Sequence, residues 1–322
     1  MCKANGVKNG TPERKPKGGG GSLKAVGFLA TGAAAYYGAP IVSAAIAEPL
    51  AKWGALVDPY GEATMAWFTE GGTPHTKTVA TKGWPLVDFG SFLIVLIAYT
   101  LMVLVGAPIM KMVPGDGIKF PAINFAYNVM QVALCSYMSI ESFMLASRNG
   151  YSPVCNKMDM GMTPPLAKLL WLFYVSKVFD FADTFFIIMG KKWKQLSFLH
   201  VYHHMSVFSF YWLNANVNYD GDIYLTIILN GGIHMMMYSY YFLAMHTRDI
   251  WWKKYMTTAQ LIQFCIMMAQ STKMLYSGAE CTNLPQRVTA TYLVYILSIF
   301  GLFMHFFFQS YASKPKKDKK VE

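Results

Sequence analysis

Residues 86–110 of the chain read LVDFGSFLIVLIAYTLMVLVGAPIM. From residue 89 onward this stretch has no charged side chain, and a helix of about 20 apolar residues is long enough to cross the roughly 30 Å hydrocarbon core of a bilayer. A helix of that length on a soluble protein would carry a charged face. The stretch therefore predicts a membrane-spanning helix.

The composition extends this prediction to most of the chain. Apolar residues make up 54% of the 322 residues and charged residues only 14%, whereas about a quarter of the residues in a soluble domain are charged. Because apolar runs of similar length recur, we predict an all-α fold, a polytopic membrane bundle of seven transmembrane helices. The predicted spans are 86–110, 121–145, 165–189, 197–215, 223–244, 257–276 and 289–311.

The two ends of the chain differ from the bundle. Residues 1–24 are polar and basic and are predicted to form a disordered tail. Residues 25–85 form an N-terminal region in which 25–47, rich in Ala and Gly, is an additional membrane segment, an interfacial helix or part of a targeting signal. The seven-helix bundle is expected to occupy 86–311, and 312–322 forms a second basic tail.

Positive charge is concentrated in one set of alternate loops and in the C-terminal tail. Those loops contain Lys111 and Lys119, then Lys191, Lys192 and Lys194, then Arg248, Lys253 and Lys254. Because basic loops of membrane proteins stay in the cytosol, we place this side and the C-terminus there. The last residues, Lys319-Lys320-Val321-Glu322, fit a dilysine retrieval signal or a generic basic tail. Topology also explains the net charge of +11, so no nucleic-acid partner is predicted.

The cysteines divide between loops and spans. Cys155 and Cys281 fall in two loops that this topology places on the same, non-cytosolic side, where an oxidising compartment favours disulfides. We predict a bond between them, and the alternative is two free thiols whose loops never meet. Cys135 and Cys265 lie inside spans and are predicted to be packing residues.

Ionisable groups inside spans are costly, and here they cluster in a few segments. His200, His203 and His204 follow the i, i+3, i+4 spacing that puts three imidazoles on one helix face. Imidazole binds zinc, iron or copper, and it also acts as a nucleophile or general base. The spacing predicts a site and leaves both kinds of chemistry open.

Two other spans carry further polar faces. One face of the preceding span contains Lys177, Asp180, Asp183 and Thr184. One face of a following span contains Asn230, His234, Tyr238 and Tyr241. Lys177 and Asp180 can pair along the helix, so a purely structural ion pair is the alternative to a functional role. Gly231 and Gly232 permit close helix approach or leave room for a flexible substrate.

Glutamines complete the set of candidates. Gln260 and Gln263 can donate amide hydrogen bonds into the bundle, and joining helices is their alternative role. Gln195 lies just before the histidine segment, at the membrane surface.

Two rival functions share parts of this pattern. Membrane di-iron desaturases and hydroxylases also contain an HxxHH segment, but they need more histidines than the seven of this chain, which has no second HxxHH. A non-enzymatic seven-helix receptor or transporter has a similar number of spans. Its polar groups would line a path through the bundle, and no inverted repeat is evident here.

In combination, the polar segments resemble the four signature segments of the ELO family of very-long-chain fatty-acid elongases. The resemblance rests on Lys177…Asp183-Thr184, His200-Val201-Tyr202-His203-His204, Asn230…His234…Met237-Tyr238…Tyr240-Tyr241 and Thr257…Gln260, in the family's order and spacing. It covers roughly residues 83–322. The family usually has Glu where this chain has Asp180, whose reach is one methylene shorter.

This resemblance implies a 3-ketoacyl-CoA synthase, an acyltransferase that condenses an acyl-CoA with malonyl-CoA and releases carbon dioxide and CoA. Soluble condensing enzymes use a cysteine, but no cysteine of this chain lies on the histidine face. We therefore predict that His203 takes the acyl group as an acyl-imidazole. No metal or cofactor is expected besides the two CoA substrates.

The remaining polar residues have supporting roles in this interpretation. His234 is the base or orienting partner and is held by Asn230, while His200 and His204 tune tautomer and charge. The candidate donors to the developing enolate are Asn230, Gln260 and Tyr238. The candidate ligands of the CoA phosphates are Lys191, Lys192, Lys194, Arg248, Lys253 and Lys254, for which topology alone is the alternative.

The resemblance also implies a cellular setting and a substrate class. The enzyme is expected in the endoplasmic reticulum membrane, where its product would pass to a ketoacyl reductase, a dehydratase and an enoyl reductase. A homodimer is compatible with the sequence, which does not determine the oligomeric state. Gln195…Phe198-Leu199-His200 and Met236-Met237-Tyr238 resemble the form found in elongases of polyunsaturated chains, which implies a long polyunsaturated acyl-CoA.

Overall fold

The computed structural model describes residues 47–70, 79–247 and 249–309. Its main unit is Gly54–Glu322, and a separate unit, Met1–Trp53, contributes the helical residues 47–53 to the described part. Within these ranges the regular elements are helices and no strand occurs, in agreement with the all-α prediction. The predicted tails 1–24 and 312–322 lie outside the described residues, as does 25–47 except for its last residue.

Seven long helices follow a shorter helix, α1 (residues 54–68), in the described part of the main unit. They are α2 (Phe89–Met112), α3 (Pro121–Arg148), α4 (Ala167–Met189), α5 (Phe198–Val217), α6 (Ile223–Leu243), α7 (Met256–Ser277) and α8 (Gln286–Phe307). Each overlaps one predicted span. Helix α2 contains a π-helical turn at Met102–Gly106, and short 3-10 helices, Trp251–Tyr255 and Gly278–Glu280, flank α7.

Polar caps and a proline fix where several helices begin. The Asp88 carboxylate accepts a hydrogen bond from the backbone N–H of Ser91 (2.7 Å) and starts α2. The Ser197 hydroxyl accepts one from the backbone N–H of His200 (3.2 Å), so the histidine segment begins in the first turn of α5. Pro121 occupies the first turn of α3, where its missing N–H removes no helical hydrogen bond.

Three helices in the described ranges are long and apolar enough to cross a membrane: α2, α3 and α8. This criterion thus supports three of the seven predicted spans. Large apolar side chains such as Leu104 (67% exposed) and Ile140 (63% exposed) cover the outside of α2 and α3, as a lipid-facing surface requires.

Close approach of α3 and α6 depends on a single glycine. A Cβ atom at Gly231 would lie 2.3 Å from Oγ of Ser139 and 3.4 Å from the carbonyl oxygen of Cys135. A Cβ atom at Gly232 would have no neighbour within 4 Å. The two glycines therefore differ, because Gly231 serves helix packing and Gly232 faces open space.

A disulfide and buried carboxylates hold the loops at the end of the bundle opposite the start of α5. Cys155 and Cys281, the predicted pair, are bonded with an S–S distance of 2.04 Å. The Asp222 carboxylate accepts hydrogen bonds from the backbone N–H groups of Cys155 and Asn156, both at 3.1 Å. Burial raises the pKa of the Asp222 carboxyl, and the hydrogen bonds from Asn156 act against that rise. These contacts fix the beginning of α6.

Candidate functional site

A buried ion pair on α4 forms the first part of the site. The Lys177 ammonium lies 2.9 Å from Oδ2 of Asp180, and the two side chains are only 4% and 5% exposed. The Gln131 amide of α3 donates to Oδ1 of Asp180 at 2.8 Å. Both oxygens of Asp180 are therefore occupied, which lowers the cost of burying its charge.

A tyrosine joins this pair to the second carboxylate of α4. The fully buried hydroxyl of Tyr238 donates to Oδ2 of Asp183 at 2.7 Å and lies 3.2 Å from Oδ1 of Asp180. The Tyr127 hydroxyl lies 3.2 Å from that of Tyr238. Tyr238, predicted as an enolate donor, thus donates to a carboxylate instead. Tyr241 is 39% exposed and contacts the Tyr238 ring at 5.9 Å between centroids.

The three histidines of α5 have different surroundings. Nε2 of His200 lies 2.8 Å from the hydroxyl of Thr184, so the predicted α4 residue fixes the first imidazole. The rings of His200 and His204 are 4.4 Å apart. His203 instead faces His234 of α6, with ring centroids 6.3 Å apart and ring planes inclined by 20°. The α5 and α6 segments therefore meet at this pair of imidazoles.

No hydrogen bond joins Nδ1 of His234 to Oδ1 of Asn230, the residue predicted to hold it. Nδ1 of His234 and Oδ1 of Asn230 both lack a hydrogen-bond partner among the described residues. The carboxylate beside His234 is Asp180, whose Oδ2 lies 3.9 Å from Nδ1. The buried ion pair thus lies close to His234 without a direct hydrogen bond to Nδ1.

A cavity begins at His203 and runs between α5, α6, α7 and α8. Its volume is ≈ 370 Å³, a value that includes the part open to solvent. Apolar and aromatic side chains form most of its wall, and the amides of Asn230 and Gln263 project among them. Oδ1 of Asn230 and Oε1 of Gln263 are buried without a partner in the described ranges. Because an unpaired buried acceptor costs free energy unless a donor reaches it, the cavity presents to a ligand an apolar wall with two acceptor atoms in it.

Some chemically important residues were absent from the predicted set. Gln131 of α3 donates to Asp180 and lies 3.1 Å from the hydroxyl of Tyr127. An amide in an otherwise apolar span is the signal that could have identified Gln131. Gln263, and not Gln260, lies on the cavity wall. Gln260 is half-buried and Gln195 is exposed.

The predicted phosphate-binding lysines lie at the start of α5 and near the end of α6. Lys191 donates to the backbone carbonyls of Val113 and Gly115 and so holds the loop between α2 and α3. The exposed side chains are those of Lys192, Lys194, Lys253 and Lys254. Arg248 lies outside the described residues. A phosphate at Lys191 would have to displace two carbonyl contacts.

The nucleophiles available at the cavity can be compared directly. Cys135 is buried and Cys265 is exposed, and neither lies on the cavity wall. No three His, Cys, Asp or Glu side chains of 47–70, 79–247 and 249–309 are arranged to hold a metal ion. The nucleophilic group on the cavity wall is the imidazole of His203.

Comparison with known proteins identifies related chains. Residues 84–319 match the model of the ELO family, described as GNS1/SUR4. The chain is 35% identical over 250 residues to very long chain fatty acid elongase 2 of Mus musculus, covering 75% of this chain and 83% of that protein. It is 32% identical over 243 residues to very long chain fatty acid elongase 4 of Homo sapiens (73% and 74% covered). It is 31% identical over 245 residues to very long chain fatty acid elongase 5 of Tachysurus fulvidraco (74% and 82% covered).

Proposed function

Because the chain belongs to the ELO (GNS1/SUR4) family and is a fatty-acid elongase, we propose that it condenses a long-chain acyl-CoA with malonyl-CoA through an acyl-imidazole on His203. One observation carries this assignment. His203 is an imidazole on the largely apolar wall of a cavity that also exposes the amides of Asn230 and Gln263, whose buried oxygens have no hydrogen-bond partner among the described residues.

The first step transfers the acyl group to the protein. A ring nitrogen of His203 attacks the thioester carbonyl, the C–S bond breaks, and CoA leaves as a thiolate that takes up a proton. The ring of His234 is inclined by 20° to that of His203, and its Nδ1 lies 3.9 Å from the Asp180 carboxylate. The acyl tail extends along the cavity away from the start of α5. Splitting a difficult transfer into two steps is the advantage of a covalent intermediate.

The second step forms the new carbon–carbon bond. Malonyl-CoA loses carbon dioxide, and the electron pair of the broken bond becomes an enolate. The enolate carbon attacks the acyl carbonyl, the C–N bond to His203 breaks, and the imidazole is restored as 3-oxoacyl-CoA leaves. The amide N–H groups of Asn230 and Gln263, whose side chains line the cavity, donate to the oxygen that carries the developing charge. No metal or redox cofactor enters this sequence.

The position of CoA follows from the topology of the chain. We assign all seven long helices to the endoplasmic reticulum membrane, with the C-terminus and the exposed lysines near the start of α5 on the cytosolic side. CoA is polar and stays at that surface, where Lys192, Lys194, Lys253 and Lys254 can meet its phosphates. The disulfide between Cys155 and Cys281 then lies on the lumenal side, in the oxidising compartment that favours it.

The substrate class rests on side chains around the histidine segment. Gln195, Phe198 and Leu199 before His200, with Met236 and Met237 on α6, support a polyunsaturated acyl chain. The keto group of the product must then be reduced, dehydrated and reduced again. We therefore place the enzyme beside a ketoacyl reductase, a dehydratase and an enoyl reductase.

A turnover assay tests the proposed function. The purified chain is given malonyl-CoA with saturated and polyunsaturated acyl-CoAs, with and without a metal chelator, and with and without oxygen. We expect 3-oxoacyl-CoA and carbon dioxide in all four conditions, and faster turnover of polyunsaturated chains. Activity that requires iron and oxygen would contradict the condensing reaction and would indicate di-iron chemistry.

The two glutamines of α7 provide a matched pair of variants. Gln263→Leu is expected to lower kcat by about 10²-fold, because it removes an amide that faces the reacting carbonyl. Gln260→Leu removes the same group three residues earlier, where the side chain is not on the cavity wall, and is expected to leave kcat nearly unchanged. The measurement is steady-state condensation by both variants. Equal losses would assign Gln263 a purely structural role.

A further inference from the structure

Helix α1 lies at the disulfide end of the bundle, where α2 and α8 begin. A Cβ atom at Gly61 would lie 2.5 Å from Cβ of Phe89, so α1 packs closely against the first residue of α2. The Arg287 guanidinium of α8 donates to the backbone carbonyl of Trp67 (3.0 Å) and lies 5.4 Å from the centre of its ring. Because α1 contacts the starts of two different long helices, it runs across the end of the bundle.

One exposed side of α1 is apolar. Leu56, Tyr60 and Trp67 have 65%, 68% and 54% of their surface exposed. At about 100° per residue of an α-helix, the three side chains fall within about 40° of one another. Single exposed apolar residues are ordinary on a protein surface, but three large ones aligned on one side form a patch. These three residues are called the α1 stripe below.

The charges of α1 lie on a different side. Asp58 and Glu62 are the charged residues of 54–68, and both are exposed. By the same helical geometry they lie about 120° or more from the α1 stripe. The two exposed sides are separated by the buried side that packs on the bundle, formed by Val57, Gly61 and Met65. One edge of α1 is therefore acidic and the other apolar, as in a helix that has water on one side and lipid on the other.

The α1 stripe is continuous with the outer side of α8. Arg287, which contacts Trp67, precedes Val294 by about two helical turns, so both residues lie on the same side of α8. Val294 is 66% exposed, and α8 is one of the helices that are long and apolar enough to cross a membrane. Trp67 therefore lies at the edge of the surface that α8 presents to lipid. Trp and Tyr are the side chains enriched at that level of a bilayer.

We propose that the α1 stripe inserts into the headgroup region of the lumenal leaflet, so that α1 is a membrane-surface helix in front of the seven-helix bundle. Leu56, Tyr60 and Trp67 leave water on insertion, which stabilises the helix on the membrane. Asp58 and Glu62 stay in water on the other edge. Helix α1 precedes residues 84–319, the part that matches the family. The inference uses the assigned topology and does not depend on the condensing reaction.

Fluorescent labels on α1 test the insertion. Leu56→Cys and Tyr60→Cys are made separately in the full chain, in which the cysteines outside the disulfide are replaced by Ala: Cys2, Cys135 and Cys265. Each chain receives a nitrobenzoxadiazole label and is placed in phosphatidylcholine nanodiscs, with or without lipid that carries a nitroxide near the headgroup end of its acyl chain. Interfacial helices lie roughly 5–10 Å into this region, so we expect the nitroxide lipid to reduce the emission of both labels about twofold or more. Iodide in the buffer is expected to have little effect.

The acidic edge of the same helix provides the matched control. A label on Glu62→Cys is expected to be quenched by iodide and not by the nitroxide lipid. If the labels at positions 56 and 60 respond like the label at position 62, the stripe lies in water and the proposal is wrong. Both stripe positions are exposed, so either variant alone gives the result if the other fails to fold.

A second copy of the chain is the rival occupant of the stripe. The labelled chains are therefore compared in nanodiscs that hold one chain and in larger nanodiscs that hold two. We expect the same quenching by the nitroxide lipid in both. Loss of lipid quenching in the discs with two chains would overturn the proposal, because protein rather than lipid would then cover the stripe.

Discussion

His203→Ala is expected to lower the rate of condensation by roughly 10³–10⁶-fold, the range seen when a covalent nucleophile is removed. The variant is also expected to form no acylated protein. The physical reason is that His203 is the imidazole that lines the cavity. The measurement pairs 3-oxoacyl-CoA formation with intact-mass detection of the acylated chain in the absence of malonyl-CoA.

A second histidine provides the control for this variant. His305 lies near the end of α8, where its Nε2 is 2.8 Å from the Gln309 amide, and it does not line the cavity. His305→Ala is therefore expected to keep both the rate and the acylated intermediate. An intermediate that persists in His203→Ala would contradict the assignment, and its location by peptide mapping would identify the true nucleophile.

Asp180→Asn is expected to destabilise the fold by about 3–5 kcal/mol, because it leaves the Lys177 ammonium buried without its counter-charge. The substitution keeps the shape of the side chain, so loss of charge is the main change. Condensation should also fall, since Asp180 is the carboxylate beside His234. Thermal unfolding in detergent and the rate of condensation are the two measurements.

Two further variants separate stability from catalysis. Glu48→Ala breaks an ion pair between Glu48 and Lys52, which are 77% and 76% exposed, and should cost only about 0.5 kcal/mol. Asp180→Leu combined with Lys177→Met removes both buried charges and should recover much of the lost stability without restoring activity. If the double variant is as unstable as Asp180→Asn, packing around Gln131, rather than the unpaired charge, determines the loss of stability.

The local pattern of the sequence was sufficient to predict the seven long helices, but not α1. Each of the seven predicted spans overlaps a helix, and Ser197 and Pro121 mark the starts of two of them. This information is local because apolar runs and caps act within one helix. The number of helices that cross the membrane was harder to predict, since length and apolar composition support three in the described ranges.

The sequence predicted several residues that lie at the site, but not which of them contact each other. Thr184, His200, His203 and His234 were predicted from polar residues in apolar helices, and the structure brings them together. The predicted contact between His234 and Asn230 is not made through Nδ1 of His234 or Oδ1 of Asn230, since neither atom has a partner among the described residues. Spacing along α6 also could not predict that Asp180 of α4 lies 3.9 Å from Nδ1 of His234.

The sequence by itself determined that this protein is an all-helical membrane protein with an imidazole cluster, because hydropathy and helical spacing are properties of single segments. Only the tertiary structure decided which imidazole faces the cavity, that Gln263 rather than Gln260 lies beside it, and that the hydroxyls of Thr226 and Tyr292 come within 2.9 Å of each other. These features depend on the rotation of each helix about its own axis. Packing against three or four neighbouring helices sets that rotation, and no single segment contains the information.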